Sequence, residues 1–195
     1  RVARLMNESL VVIDVETTGL SPTKGARAIE VAAVKVCDGR IESHYSSLIN
    51  PGVAIPEMIQ DLTGINERMR LKAPTPNHVF NELRRFIGDM PLVAHNAPFD
   101  SKFLKFEMER QGLVKSYQFA CTLQLSKKLY PRAPSYKLAR LLEYVDIEVP
   151  MNLHRALADA TVTASLWLQI LGDLRARRLI ADNKHDTVMK YCMKS

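Results

Sequence analysis

The chain has 195 residues, 47 % of them hydrophobic and a quarter charged, and a net charge of +6. That length fits one domain with a substantial core, and the composition speaks against a disordered chain. No apolar run approaches the roughly 18 residues of a membrane span, and three widely spaced cysteines (Cys37, Cys121, Cys192) speak against a disulfide framework or a CxxC zinc site.

In chain order, Leu10–Ile13 is a short apolar run that reads as a buried strand, closed by Thr17-Thr18-Gly19. Ala28–Cys37 and Ile41–Ile49 read as two further strands, with a hairpin signal at Asp38-Gly39 between them. Pro51–Pro76 is rich in turn residues and suits short helices. Asn77–Ile87 has helical spacing, Leu92–His95 reads as a strand, and Pro98 opens a helix at a favoured first-turn position. Phe119–Cys121 is a last short strand, followed by short helices near Leu123–Leu129 and Tyr136–Tyr144. Ala156–Leu171 is apolar almost all round, so a buried helix is expected, and a basic tail follows Gly172. An antiparallel meander followed by alternating helix and strand indicates an α/β fold with a mixed sheet.

Several acids fall where an apolar element would place them against the core. Asp14 and Glu16 are two apart on a strand, so they share a face. Two such carboxylates repel and are costly to desolvate, and a divalent cation is the natural compensation. Asp100 heads the stripe Phe103, Leu104 and Met108, and Asp159 heads Val162, Thr163, Leu166 and Ile170. His154 precedes Asp159 by five residues, about 140° apart on one continuous helix. If the helix starts just after His154, the histidine sits on the loop beside the acids. Oxygen-only ligands suit Mg²⁺ or Mn²⁺, and a neutral histidine suits a general base.

The segments VVIDVETTGL (11–20), LVAHNAPFD (92–100) and LHRALADA (153–160) resemble the DEDDh (DnaQ-like) exonuclease superfamily, which includes the proofreading epsilon subunit of bacterial DNA polymerase III. The resemblance covers residues 8–172, leaving 173–195 as a short basic extension of one exonuclease domain spanning 1–195. It implies a ribonuclease-H-like fold with a central five-stranded sheet flanked by helices. It implies two divalent cations on Asp14, Glu16, Asp100 and Asp159, with Asp14 bridging both, and His154 as general base. It also implies a terminal nucleotide held near Thr17, Thr18 and Leu20, with Leu20 wedged against the last base. Leu62-Thr63-Gly64-Ile65 is similar to a family element usually written His-Gly-Ile, which makes Ile65 a base contact. His95, Asn96 and Phe99 would line the same pocket. Thr63 departs from the family histidine, and no equivalent of the epsilon subunit's polymerase-binding segment is visible, which favours a stand-alone cytoplasmic enzyme over a polymerase subunit.

The implied substrate is DNA, with RNA trimming as the alternative and a catalytically silent nucleic-acid-binding module as a third. Charge agrees with a polyanionic partner. Residues 1–100 hold 11 Lys/Arg against 12 Asp/Glu, and 101–195 hold 16 against 9. Lys102, Lys105, Lys127, Lys128, Arg132, Lys137, Arg140 and Arg155 are candidate phosphate contacts, and Tyr130, Tyr136 and Phe99 candidate stacking residues.

Overall fold

A computed structural model describes residues 8–193; the first seven and last two residues of the expected domain lie outside the described residues. Strands β1 (Leu10–Thr17), β2 (Ala28–Cys37) and β3 (Arg40–Leu48) form the antiparallel meander. Asp38 and Gly39 both adopt positive φ (50° and 75°), the paired left-handed geometry of a tight hairpin turn that follows strand twist. Helices α1 (Glu57–Thr63), α2 (Glu67–Lys72) and α3 (Pro76–Ile87) lead to β4 (Leu92–Ala94) and α4 (Ala97–Arg110). Then come β5 (Phe119–Cys121), α5 (Thr122–Leu129), α6 (Leu138–Tyr144), α7 (Ala156–Ala176) and α8 (His185–Met193).

The sheet order is β3-β2-β1-β4-β5, with β1, β4 and β5 parallel. This is the mixed five-stranded sheet expected, and alternation along β1 divides the core into two layers. Leu10 and Val12 pack with α5, α6, α7 and α8, through residues such as Leu125, Leu142, Trp167 and Val188. Val11, Ile13 and Val15 pack on the other face with Val79, Leu83, Phe103 and Leu104 of α3 and α4. Asp14 and Glu16 continue the parity of Leu10 and Val12, so they face the α7 side.

Some boundaries move for identifiable reasons. β1 continues past Ile13 to Thr17 because β2 pairs with it as far as Ala28, after a register shift between Glu16 and Thr17. α6 begins at Leu138 instead of Tyr136, whose carbonyl is bonded by the His95 ring at 2.8 Å. α7 runs through Gly172 to Ala176, because Leu171 and Leu174 stay buried and tertiary packing outweighs glycine's weak helix propensity. The basic tail contributes α8, whose Val188 joins the core. The three cysteines are free thiols. Among the described residues no helix is long and apolar enough to cross a membrane.

Candidate active site

The carboxylates gather where β1 ends. Asp14, Glu16 and Asp159 each offer an oxygen, and these atoms lie within 4.8 Å of one another. Asp159 stands in the first turn of α7, whose Thr163, Leu166 and Ile170 are buried against the sheet, so the stripe aims the acid at β1. Asp100, in the first turn of α4, is 3 % exposed and accepts the amide of Val15, between the two β1 acids, at 3.1 Å. Asn96, the cap residue of α4, takes a left-handed conformation (φ 67°) that turns the chain sharply from β4 into the helix.

Crowded acids in a partly dry setting hold their protons tightly. Burial, then the charges of Asp100, Asp159, Glu16 and Glu30, hold the Asp14 carboxyl well above the ordinary carboxylate range. Burial and the charges of Asp159 and Glu30 push Glu16 up to about 8, against a smaller lowering by Arg155. Asp159 rises to about 6, chiefly through burial, with the His154 amide and ring acting the other way. Burial likewise raises Asp100 well above the usual range, opposed by the amide bond from Val15. The guanidinium nearest these acids, that of Arg155, is engaged by Glu30. An oxygen-only set of four acids short of positive charge fits hard divalent cations.

His154 lies just before α7, with its backbone in the left-handed region (φ 69°) and its amide donating to Asp159 Oδ1 at 3.2 Å. The residue is exposed and next to the acid cluster in the chain. Thr17 donates to the Gly19 carbonyl at 2.7 Å, and the Thr18 hydroxyl accepts the Arg27 amide at 2.9 Å; together they shape the turn. Thr18 and Leu20 line an open cleft of about 490 Å³ with Lys24 and Ala26, and Leu20 is 86 % exposed. Asn96 is exposed, and Phe99 packs on Phe103 with ring centroids 4.9 Å apart.

Two expected contacts take other places. Ile65 is fully buried with Ile29 and Ile55, so its side chain presents no surface to a base; the apolar fit of that small cluster outweighs exposure. His95 is a half-buried tie, its ring nitrogens bonded to Thr122 Oγ1 and the Tyr136 carbonyl, both at 2.8 Å. Burial lowers its pKa, which favours the neutral ring. Tyr130 is also buried, its hydroxyl donating to Asp173, and the Tyr136 hydroxyl donates to the Tyr130 carbonyl. Of the candidate phosphate contacts, Arg140 pairs with Glu143, Lys105 stands 3.9 Å from Glu109, and Lys128 lies over the Tyr191 ring. Lys102, Lys127, Arg132 and Lys137 are exposed.

Two buried charge pairs were not read from the sequence. Glu107 of α4 receives Arg27 Nε and Nη2 at 2.8 and 2.9 Å, and Glu30 of β2 receives Arg155. A signal for Glu30 did exist: it is the one acid in a strand whose first seven residues are otherwise apolar, and it pairs in register with Glu16.

A five-stranded mixed sheet with carboxylates converging from β1, α4 and α7 defines the chain as a nuclease with a ribonuclease-H-like fold. The exonuclease family (RNase_T) matches residues 11–167, and the chain belongs to it, as a DEDDh-type 3′-5′ exonuclease. The DNA polymerase III subunit epsilon of Aquifex aeolicus (strain VF5) is 37 % identical over 179 residues, covering 91 % of this chain and 88 % of that protein. The 3′-5′ exonuclease DinG of Bacillus subtilis (strain 168) is 38 % identical over 169 residues, 86 % of this chain but only 18 % of that longer protein. A solved structure, Exonuclease X in complex with 5′ overhanging duplex DNA, superposes with a TM-score of 0.72 and 26 % identity, covering 94 % of this chain and 99 % of that one.

Proposed function

We propose that this exonuclease shortens DNA from single-stranded or frayed 3′ ends, hydrolysing the terminal phosphodiester with two Mg²⁺ or Mn²⁺ ions and releasing nucleoside 5′-monophosphates. The observation that carries the reading is the convergence of Asp14, Glu16 and Asp159 within 4.8 Å, with Asp100 tied to the same strand. These four acids would hold the cations. When bound, such ions neutralise the acids, favour ionisation of the attacking water and stabilise charge on the phosphate. His154 accepts the proton of that water, a task for which an exposed ring next to Asp159 is suited. The Thr17–Leu20 turn holds the terminal nucleotide, with Leu20 against the last base, while Asn96 and Phe99 border the sugar; His95 supports this pocket from beneath.

DNA is favoured over RNA because the relative at 37 % identity named above is a DNA polymerase subunit, and Exonuclease X is bound to DNA. The RNA alternative is supported by two neighbours of similar fold, one titled for recognition of a histone mRNA stem-loop at 18 % identity and one bound to rAMP at 20 %. Single-stranded DNA and RNA of one sequence, labelled at the 5′ end, are incubated with Mg²⁺, Mn²⁺ or EDTA. Metal-dependent shortening with DNA favoured is expected. Faster RNA cleavage would move the assignment to RNA trimming, and an EDTA-resistant activity would refute the metal mechanism.

A further inference from the structure

The start of α7 is held by a residue far from it in sequence. Arg155 is its cap residue, extended (φ −124°, ψ 128°), and supplies no side-chain cap bond. Glu30 fills that role from β2, 126 residues before Ala156: its Oε2 accepts the Ala156 amide at 2.9 Å. A carboxylate there also complements the positive end of the helix dipole. The Arg155 guanidinium closes the arrangement, with Nε at 3.2 and 3.1 Å from the two Glu30 oxygens and Nη2 at 2.7 Å from Oε1. Each Glu30 oxygen thus receives two donors, which fills its ordinary accepting capacity.

The segment so held is the one that needs holding. His154 occupies the left-handed region, which costs a non-glycine residue on the order of 1 kcal/mol or more. The chain passes from left-handed at His154 to extended at Arg155 to helical at Ala156 within three residues. The His154 amide then reaches Asp159, and the Asp159 amide returns to the Arg155 carbonyl at 3.0 Å. The body of α7 does not need Glu30: Leu166, Trp167, Ile170 and Leu174 anchor it in the core. Only the first turn and the preceding loop depend on it.

We propose that Glu30 is a positioning residue for hydrolysis, fixing through Arg155 and the Ala156 amide the backbone that presents His154 and Asp159. This rests on the roles given to those two residues above. Glu30 touches neither substrate nor the reacting atoms. Its loss leaves Asp14, Glu16 and Asp100 in place, so three of the four acids still hold the cations and the damage falls mainly on the chemical step. A misplacement of about 1 Å is enough to cost on the order of 100-fold in rate.

The test compares wild type, Glu30→Gln, His154→Ala, the double variant, and Leu174→Ala, which weakens α7 from its far end. Each is assayed on labelled single-stranded DNA with Mn²⁺ for kcat and KM, for Mn²⁺ affinity by calorimetry, and for amide hydrogen exchange at residues 154–159. Glu30→Gln is expected to lower kcat at least about tenfold, with KM little changed, Mn²⁺ affinity lowered only modestly through Asp159, and faster exchange at 154–159. The double variant is expected to lose less than the product of the two single losses, because residues acting as one unit are not additive. Leu174→Ala is expected to lower the melting temperature yet keep most of kcat. Wild-type kcat or unaltered exchange in Glu30→Gln would overturn the proposal, as would a kcat loss matched by Leu174→Ala. A collapse of Mn²⁺ affinity would instead make Glu30 a ligand and overturn it too. Inactivity of the wild type on 3′ ends, or full activity of His154→Ala, would refute the proposed function; the exchange at 154–159 would still decide whether Glu30 positions the loop.

Discussion

Asp100 and Asp159 both stand in the first turn of a helix that points at β1, yet one is sealed and the other is open. Asp100 is 3 % exposed, fixed by the Val15 amide, on a helix tied down by the fully buried Glu107 and its partner Arg27. Asp159 is only partly buried, fixed by the amide of an exposed histidine, on a helix whose clamp leaves the Arg155 side chain 36 % exposed. The α4 side behaves as part of the core; the α7 side is a seam between core and solvent. A general base needs such a seam, because its ring must meet water and substrate, whereas a cation ligand works best on a rigid support.

The largest effects should fall on catalysis and ignore the distinction. Asp14→Asn and Asp159→Asn should each reduce kcat by at least about 10³-fold, since each removes a preorganised charge from the reacting centre. Initial-rate measurement on single-stranded DNA checks this, and near-normal rates in either would remove the acid cluster from the reaction. His154→Ala should cost about 10² to 10⁴ in kcat, the usual range for a general base, while leaving cation affinity intact.

Stability should separate the two sides. Glu107→Gln strands Arg27, itself 8 % exposed, and should cost about 3–5 kcal/mol in denaturant unfolding. Glu30→Gln should cost only about 1 kcal/mol, because Arg155 can turn toward water. Equal costs would mean that the α7 clamp is as much a part of the core as the α4 clamp.

A pH titration sharpens the same contrast without mutation. The raised pKa values of Asp14, Asp100, Glu16 and Asp159 mean that the folded, cation-free protein binds more protons than the unfolded chain. Their stabilising contribution is therefore full below the ordinary carboxylate range and is lost as pH rises, through about 6 for Asp159 and about 8 for Glu16. Melting in EDTA should fall between pH 5 and 9 by an amount on the order of a few kcal/mol, and Mn²⁺ should restore it. Glu16→Gln should flatten the upper part of that fall. A pH-independent melting curve would contradict the electrostatic picture. The smallest effect should come from Leu20→Ala: exposed, it should change stability by no more than about 0.5 kcal/mol and raise KM for DNA a few-fold.

The local features of the chain were legible because their causes are local. Asp38-Gly39 specifies its turn through the positive φ both residues adopt, and Asp14-x-Glu16 shares a face because strands repeat every two residues. The stripes behind Asp100 and Asp159 pointed both acids inward, and the start of α7 after His154 followed from the apolar run beginning at Ala156. Features that depend on distant partners were not legible. Ile65 carries no mark that distinguishes a base contact from a core residue; only the meeting of Ile29 and Ile55 with it decides. His95 reads as a pocket residue until Thr122 and Tyr136 take both its nitrogens.

By itself, then, the sequence determined which elements form, which faces they bury and which acids ride on those faces, since periodicity and turn chemistry act over a few residues. The tertiary structure alone decided that Glu30 caps a helix 126 residues away and that Glu107 meets Arg27 across 80. Charge pairing has no period along the chain. It is settled by which surfaces the sheet order brings together, and by the cost of leaving a buried charge without a partner.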